Sequence, residues 1–306
     1  MTVYHVFANR INLGDYYSAL GIKKLIWQIP MRSLYWTHGE FEKTKYILEK
    51  IKPHDKIVVG GGGLFKDFFS PLWETILNYV RRDNQLFIWG VGECDVKDKH
   101  TTLSESQLVR IAETATMIYT RDQTSKQKLQ GFNARVEITG CPSVTIVSQW
   151  IRKSPRYLLH VIHPELLGAS LGLWRQAASR LASDLGLDVV ELSHIVPKSG
   201  IRRLNYLHKT KNYYQNAGLV LSSRLHGVIF SNAMGIPVIP VSGDKKIESY
   251  WRDTLGKKLL LNISDSNFLN KKLANKALND VSTATIVDYM EKNRQAAKNI
   301  LFMMRS

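Results

Sequence analysis

Cysteine is nearly missing from this chain: Cys94 and Cys141 are the two that occur among 306 residues. Neither their number nor their spacing suits a disulfide framework or a zinc site, so both read as buried thiols in a reducing compartment. No apolar run approaches membrane-spanning length, and the opening segment, Thr2 to Phe7, is too short and lacks the basic flank of a secretory signal. A cytoplasmic location is expected. Acidic residues are in deficit, 26 against 42 lysines and arginines, which leaves a formal charge of +16. The basic residues recur as Arg202 with Arg203, Lys209 with Lys211, Lys245 with Lys246, Lys257 with Lys258 and Lys271 with Lys272. Such a field draws polyanions, anionic lipid surfaces or acidic small molecules, and charge alone does not choose among them. An arginine-rich tail, a zinc finger and an aromatic RNA-binding signature are all lacking, so nucleic acid is not an expected partner.

What is present is a stock of core-forming residues, 44% hydrophobic by count, enough for two domains of ordinary size. Short apolar runs alternate with helical patterns throughout, the signature of parallel sheets covered by helices. In the first half the pattern predicts strands at 3–7, 56–59, 86–89, 117–119 and 136–139, with helices near 16–28, 41–51, 72–82 and 105–114. Ser104 and Gln107 have the spacing of a capping box ahead of the last of these. The pattern breaks at 147–155, where Trp150, Arg152, Lys153 and Pro155 interrupt it. A second series follows, with strands at 157–162, 189–192, 218–221, 237–241 and 258–261, and helices at 166–185, 201–215, 228–234 and 283–304. The expected fold is α/β, two Rossmann-like domains, 1–150 and 151–306, facing a cleft where strand carboxyl ends meet helix N-termini. The terminal helix carries Ile286, Met290, Ala297, Ile300, Leu301 and Met304 loosely on one side, a stripe suited to core packing or to bracing both domains.

The most informative residues are Ser222, Ser223, Arg224, Leu225, His226 and Gly227, where an apolar strand runs into a helix. A helix start of this kind directs N–H groups and a positive dipole end at an anion. Arg224 adds a planar fork of donors for carboxylate or phosphate, and His226 adds a group able to trade a proton near neutral pH. The second signal is Gly60, Gly61, Gly62 and Gly63 directly after a buried strand. Four glycines allow close backbone approach to a ligand, although a tight turn or close helix packing explains one or two of them. The run is neither a dinucleotide fingerprint, since Phe65 stands where its third glycine belongs, nor a P-loop, since no Gly-Lys-Ser/Thr follows. Near the N-terminus, Asn12 and Asp15 open the first helix; Asp15 reads either as a cap or as a carboxylate able to accept a proton from a sugar hydroxyl. Gly90 and Gly92, and Arg121, Asp122 and Ser125, occupy equivalent strand ends, the Arg121–Asp122 pair reading either as a helix-start network or as substrate contacts. His160 and His163 end the first strand of the second half, and by alternation one of them faces the ligand.

In order and spacing these residues resemble the polysaccharide pyruvyl transferase family: Asn12 to Asp15, the Gly60 to Gly63 run with Leu64 and Phe65, Gly90 to Gly92, Arg121 with Asp122 and Ser125, and Ser223 to Gly227 followed by Ser231, Asn232, Ala233, Met234, Gly235, Ile236 and Pro237. The resemblance implies a fold like that of the B-type glycosyltransferases, with the acceptor on the first domain and the donor on the second. It implies that phosphoenolpyruvate delivers a pyruvate ketal to two hydroxyls of one sugar in a polysaccharide or its lipid-linked precursor, releasing phosphate, with no cofactor and no metal. His226 is then the general acid and Asp15 a candidate base. Arg224, Ser223, Leu225, Lys245, Lys246 and His163 are expected at the donor, and Asn12, Gly61, Gly62, Gly63 and Arg121 at the acceptor. The basic surface suits an acceptor presented at an acidic inner-membrane face, which adds a peripheral membrane location to the expectation. Two departures stand out: Gly140, Cys141, Pro142 and Ser143 replace a Pro-Asp-Pro-like segment, and His160 and His163 stand where relatives place an arginine. The rival readings are a nucleotide-sugar glycosyltransferase with Glu248 on the ribose, and a non-catalytic polyanion-binding protein.

Overall fold

The computed structural model describes every residue except 37–38, 81–83, 94–101, 133–134, 244, 256–258, 280–282 and 306. Cys94, Lys257 and Lys258 therefore lie outside the described residues. In chain order the first half contains β1 (Val3–Phe7), α1 (Leu13–Leu25), β2 (Met31–Tyr35), α2 (Phe41–Leu48), β3 (Lys56–Phe65), α3 (Ser70–Tyr79), β4 (Gln85–Glu93), α4 (Glu105–Thr114), β5 (Met117–Thr120), α5 (Gln123–Gln130), β6 (Val136–Ile138) and α6 (Val144–Val147). The second half contains β7 (Tyr157–Val161), α7 (Pro164–Leu167), α8 (Leu171–Leu185), β8 (Asp188–Leu192), α9 (Gly200–Gln215), β9 (Ala217–Ser222), α10 (Leu225–Ala233), β10 (Val238–Ser242), α11 (Lys245–Leu255), β11 (Leu261–Asn262), α12 (Lys271–Asn279) and α13 (Ala284–Arg305).

The chain forms two compact units, one of residues 1–10, 14–146 and 288–306, the other of residues 11–13 and 147–287. The first holds a six-stranded sheet in the order β2-β1-β3-β4-β5-β6, the second a five-stranded sheet in the order β11-β10-β9-β7-β8. All pairings in both sheets are parallel. Parallel strands need crossover helices on both faces, which is why the central strands are continuous apolar runs.

In the first unit one face of the sheet packs Ile57, Val59, Leu72, Trp73, Ile76, Leu108 and Ile111 under α2 to α4. On the other face Val3, Val58, Phe87 and Trp89 pack against Ile22 and Ile26 of α1 and Ala296, Ala297, Ile300 and Met304 of α13. The terminal helix, expected with residues 151–306 or as a brace across both domains, supplies its apolar stripe to the first unit from Asp288 onward. Asn293 pegs it there: its amide donates to Thr139 O at 2.6 Å and its Oδ1 accepts from Trp89 Nε1 at 2.9 Å.

Several elements differ from the pattern reading. β3 does not stop at residue 59 but continues through the glycines to Phe65, with Gly60 and Gly62 paired to β4 and an irregularity in the register between Gly62 and Phe65. β2 has no apolar run and is an edge strand, with one of its five residues buried. The single helix expected at 166–185 is broken at Gly168, whose φ of +48° is a left-handed conformation that ends α7. The Ser104 hydroxyl accepts from Gln107 N at 3.3 Å, the N-cap half of the expected capping box. Among the described residues no helix is long and apolar enough to cross a membrane.

Candidate functional site

Parallel pairing brings the carboxyl ends of β10, β9, β7 and β8 side by side along one edge of the second unit's sheet. The chain leaving β10 opens α11 with Lys245, exposed, and Lys246, half-buried. Leaving β9 it passes through Ser222 and Ser223 into α10; leaving β7 it reaches His163, and leaving β8 it reaches His194. Topology thus gathers onto one edge residues that are up to 83 positions apart in sequence.

The turn from β9 into α10 is fastened at several points. Ser223 N donates to Val161 O at 3.0 Å, and the Ser223 hydroxyl accepts from His163 N at 2.8 Å. Arg224 N donates to the Ser222 hydroxyl at 3.1 Å, and that hydroxyl donates to Arg224 O at 2.8 Å. Arg224 Nε donates to Ile162 O at 2.7 Å, which fixes the plane of the guanidinium at the strand edge. Arg224 O accepts from Gly227 N and Val228 N, so the amides before Gly227 are aimed off the helix end. A Cβ on Gly227 would collide with Ser222 Oγ and stand 3.0 Å from Val161 Cγ1, so a glycine is needed for the turn to close. Arg224 and His226 are each half-buried, one residue apart at the helix start, and Leu225 between them is buried in the core. The edge combines fixed N–H groups, a guanidinium and an imidazole. No aspartate or glutamate occurs anywhere in residues 192–243 to oppose a bound anion.

His163 sits at this edge, half-buried, while His160 is 2% exposed within β7. Burial pushes the His160 imidazole down to about 4, against the opposing pull of Glu191. Of the two histidines His163 is the one beside Arg224. Glu248, the ribose contact of the rival reading, accepts a hydrogen bond from the Ser242 hydroxyl at 2.6 Å.

His194 escaped the pattern reading. It is 1% exposed, holds a left-handed φ of +60°, and pairs its Nε2 with Tyr214 OH at 2.8 Å. Its ring lies 5.6 Å from that of Phe230, which also packs on the rings of Trp150, Tyr214 and, at 6.0 Å, His226. Burial, and then the positive charges of Arg224 and His226, hold the His194 imidazole well below its ordinary value, so it is neutral. The left-handed backbone of His194 is held in place by the bond to Tyr214 and by the rings of Tyr214 and Phe230. The rule that drew attention to His163, a polar residue at a strand's carboxyl end, applies equally to Ser193 and His194. The backbone at His194 also receives Leu13 N at 2.9 Å, and Asn12 bridges Ile195, which places Asn12 in the second unit.

The first unit gathers the other predicted residues. Asp15 lies in the first turn of α1, 7% exposed, with Asn9 Nδ2 donating to its Oδ2 at 3.4 Å. Gly62, at φ +107°, is the reason it fits: a Cβ there would stand 2.5 Å from Asp15 Oδ1. A Cβ on Gly61 would stand 2.5 Å from Ser18 Cβ. These two glycines therefore admit α1 against the sheet and seat Asp15, while Gly63 is half-exposed. Arg121 departs from the acceptor role expected of it. It is 2% exposed, with Nη2 donating to Glu93 O at 3.0 Å and Nε to Asp122 Oδ2 at 3.4 Å. Asp122 in turn caps α5 through Ser125 N at 2.9 Å, so the pair is a helix-start network turned into the protein. Cys141, buried, has its Sγ 3.0 Å from Ser18 Oγ and 3.1 Å from Ser143 Oγ.

A model of the polysaccharide pyruvyl transferase family matches residues 11–245. The chain belongs to that family. The match takes in both the Asp15 seat and the β9–α10 turn. A comparison with curated proteins gave no match. Among solved structures, the UDP-GlcNAc 2-epimerase from Methanocaldococcus jannaschii is similar with a TM-score of 0.60 at 10% identity, covering 100% of both chains. An Anabaena protein in complex with UDP and glucose gives 0.55 at 11% identity, covering 98% of this chain and 99% of that one. The UDP-GlcNAc 2-epimerase from Neisseria meningitidis gives 0.51 at 12% identity, covering 100% of both. At such identities the likeness carries the fold alone: two Rossmann-like halves, as in the B-type glycosyltransferases.

Proposed function

We propose that this family member transfers the enolpyruvyl unit of phosphoenolpyruvate onto two hydroxyls of one sugar, in a polysaccharide or its lipid-linked precursor, closing a pyruvate ketal and releasing phosphate. One observation carries the reading: Arg224 and His226, each half-buried, stand at one fixed helix start in a stretch without carboxylates. A ligand bearing a carboxylate and a phosphate needs such a place. Arg224, the first turn of α10 and Lys245 or Lys246 hold the two anionic groups, with Ser223 and His163 beside them; the Leu225 side chain, expected at the donor, is buried in the core and serves packing instead.

The enol ether is inert until its methylene carbon gains a proton. His226 supplies that proton. The resulting oxocarbenium-like carbon is attacked by the first sugar hydroxyl, whose proton returns to a base. The C–O bond to phosphate then breaks, a second cationic centre forms, and the second hydroxyl closes the ring. One hydroxyl proton ends on the new methyl group and the other on phosphate. Asp15 is the base assigned to the acceptor, and Asn12 and Gly63 are assigned to acceptor binding. Arg224 also stabilises the charge on departing phosphate.

The test is phosphate release from phosphoenolpyruvate, dependent on a sugar acceptor. His226→Ala is expected to lower kcat by about 10²- to 10⁴-fold with an unchanged melting temperature. Saturable binding of a nucleotide sugar, with no response to phosphoenolpyruvate, overturns the proposal in favour of the glycosyltransferase reading.

A further inference from the structure

Helix α9 turns an unusual face to water. Ile201 is 74% exposed and Leu204 67% exposed, and Ile195, in the loop leading to the helix, is 53% exposed. At 100° per residue Ile201, Leu204, Asn205 and His208 share the outermost face, with Lys211 on one flank and Arg202 and Lys209 on the other. All of these side chains are exposed, as is Lys198 ahead of the helix. Thr210 and Tyr214, on the opposite side, are buried and hold the helix to its unit. The loop is tied down as well, since Arg203 Nη1 donates to Pro197 O at 3.1 Å. The patch is therefore a formed surface with apolar tips at its centre and cations around them.

Acidic residues are absent from the whole segment 192–243, so nothing within it neutralises the cations. In a globular protein lysines normally alternate with carboxylates on an exposed helix. A polyanion such as nucleic acid would match the charge but not three bare aliphatic side chains. An acidic bilayer matches both, since aliphatic tips enter the headgroup boundary while lysine and arginine stems reach phosphates. The location adds to this. α9 follows β8 and α10 follows β9, so in a parallel sheet both helices begin at the same edge. The Ile195–Ile201–Leu204 patch thus lies on the edge of the second unit that bears Arg224 and His226.

We infer that the first two turns of α9, with Ile195 and Lys198, form a docking face for anionic lipid bilayers that sets the Arg224–His226 edge of this unit at headgroup level. The inference deepens the proposed function by giving it a lipid-linked acceptor, and it rests on that reading for its purpose but not for its measurement. Docking needs no turnover.

The experiment is co-sedimentation of the full chain with vesicles of phosphatidylcholine alone or with phosphatidylglycerol added, at physiological salt. Binding is expected to the anionic vesicles and not to the neutral ones. Ile201→Glu combined with Leu204→Glu should lower the bound fraction about tenfold or more at an unchanged melting temperature, since two apolar contacts and part of the local charge are lost together. A wild-type chain that stays in the supernatant with anionic vesicles overturns the inference, as does a double variant that binds like the wild type. A solution mass of twice the chain, reduced to the monomer by the same two substitutions, overturns it in favour of a self-association surface. Phosphate release from phosphoenolpyruvate is measured separately: docking without release leaves this inference standing and rejects the chemistry, while release without docking does the reverse.

Discussion

Arg121 and Arg224 both follow a strand, yet they have opposite tasks. Arg121 is enclosed by Glu93 O and the Asp122 carboxylate, and Arg224 has one nitrogen tied to Ile162 O with its plane turned to the sheet edge. Arg121→Lys is therefore expected to lower stability, because a single ammonium cannot replace two separated donors inside the core. Thermal unfolding checks this. Arg224→Lys should leave the melting temperature near that of the wild type and raise the KM for phosphoenolpyruvate by about tenfold, through loss of the planar fork. Equal effects of the two substitutions on stability would contradict the division of roles. His194 and His226 pack on the same Phe230 ring, so a change at His194 is expected to reach His226. His194→Gln keeps a polar partner for Tyr214 OH and should change kcat and its pH profile more than KM.

At the scale of elements, the β9–α10 turn and the α13 peg are the two joints most open to test. Gly227→Ala forces its methyl group onto Ser222 Oγ, and the hydroxyl bonded to Arg224 N and O must move. The helix start then shifts under both Arg224 and His226. Turnover should fall by more than tenfold with a stability loss of about 1–3 kcal/mol, readable as activity against a denaturant midpoint. Asn293→Leu removes the acceptor of Trp89 Nε1 and the donor to Thr139 O, leaving both buried. A cost of about 2–4 kcal/mol is expected from two orphaned groups, with catalysis unchanged in the fraction that stays folded.

For the whole molecule, pH is the informative variable. His5 and His160 are buried and held down to about 4, and His194 is held lower than its ordinary value as well. Well above 6.5 these groups are neutral in both folded and unfolded chains, so they contribute no pH dependence there. As pH falls from that value, the unfolded chain takes up protons that the folded chain refuses, and stability declines. For His5 and His160 the decline is complete near 4, where the folded imidazoles are protonated too. A melting temperature that stays level between pH 7 and pH 4.5 would rule this out.

Composition and order alone established a good deal. Alternating apolar runs and helical patterns pointed to two parallel-sheet units and the break near Val147, and the order of Asp15, the glycine run and Ser223 to Gly227 carried the resemblance to the family. These are local signals, written into neighbouring residues. The tertiary structure decided what no local signal carries. It sent α13 to the first unit, because an apolar stripe does not name the sheet it covers. It turned Arg121 inward and left Arg224 at the edge, because identical side chains differ only in what encloses them. It brought His194 beside the anion-type turn, since the ends of β8 and β9 become neighbours of one edge only when the sheet has formed.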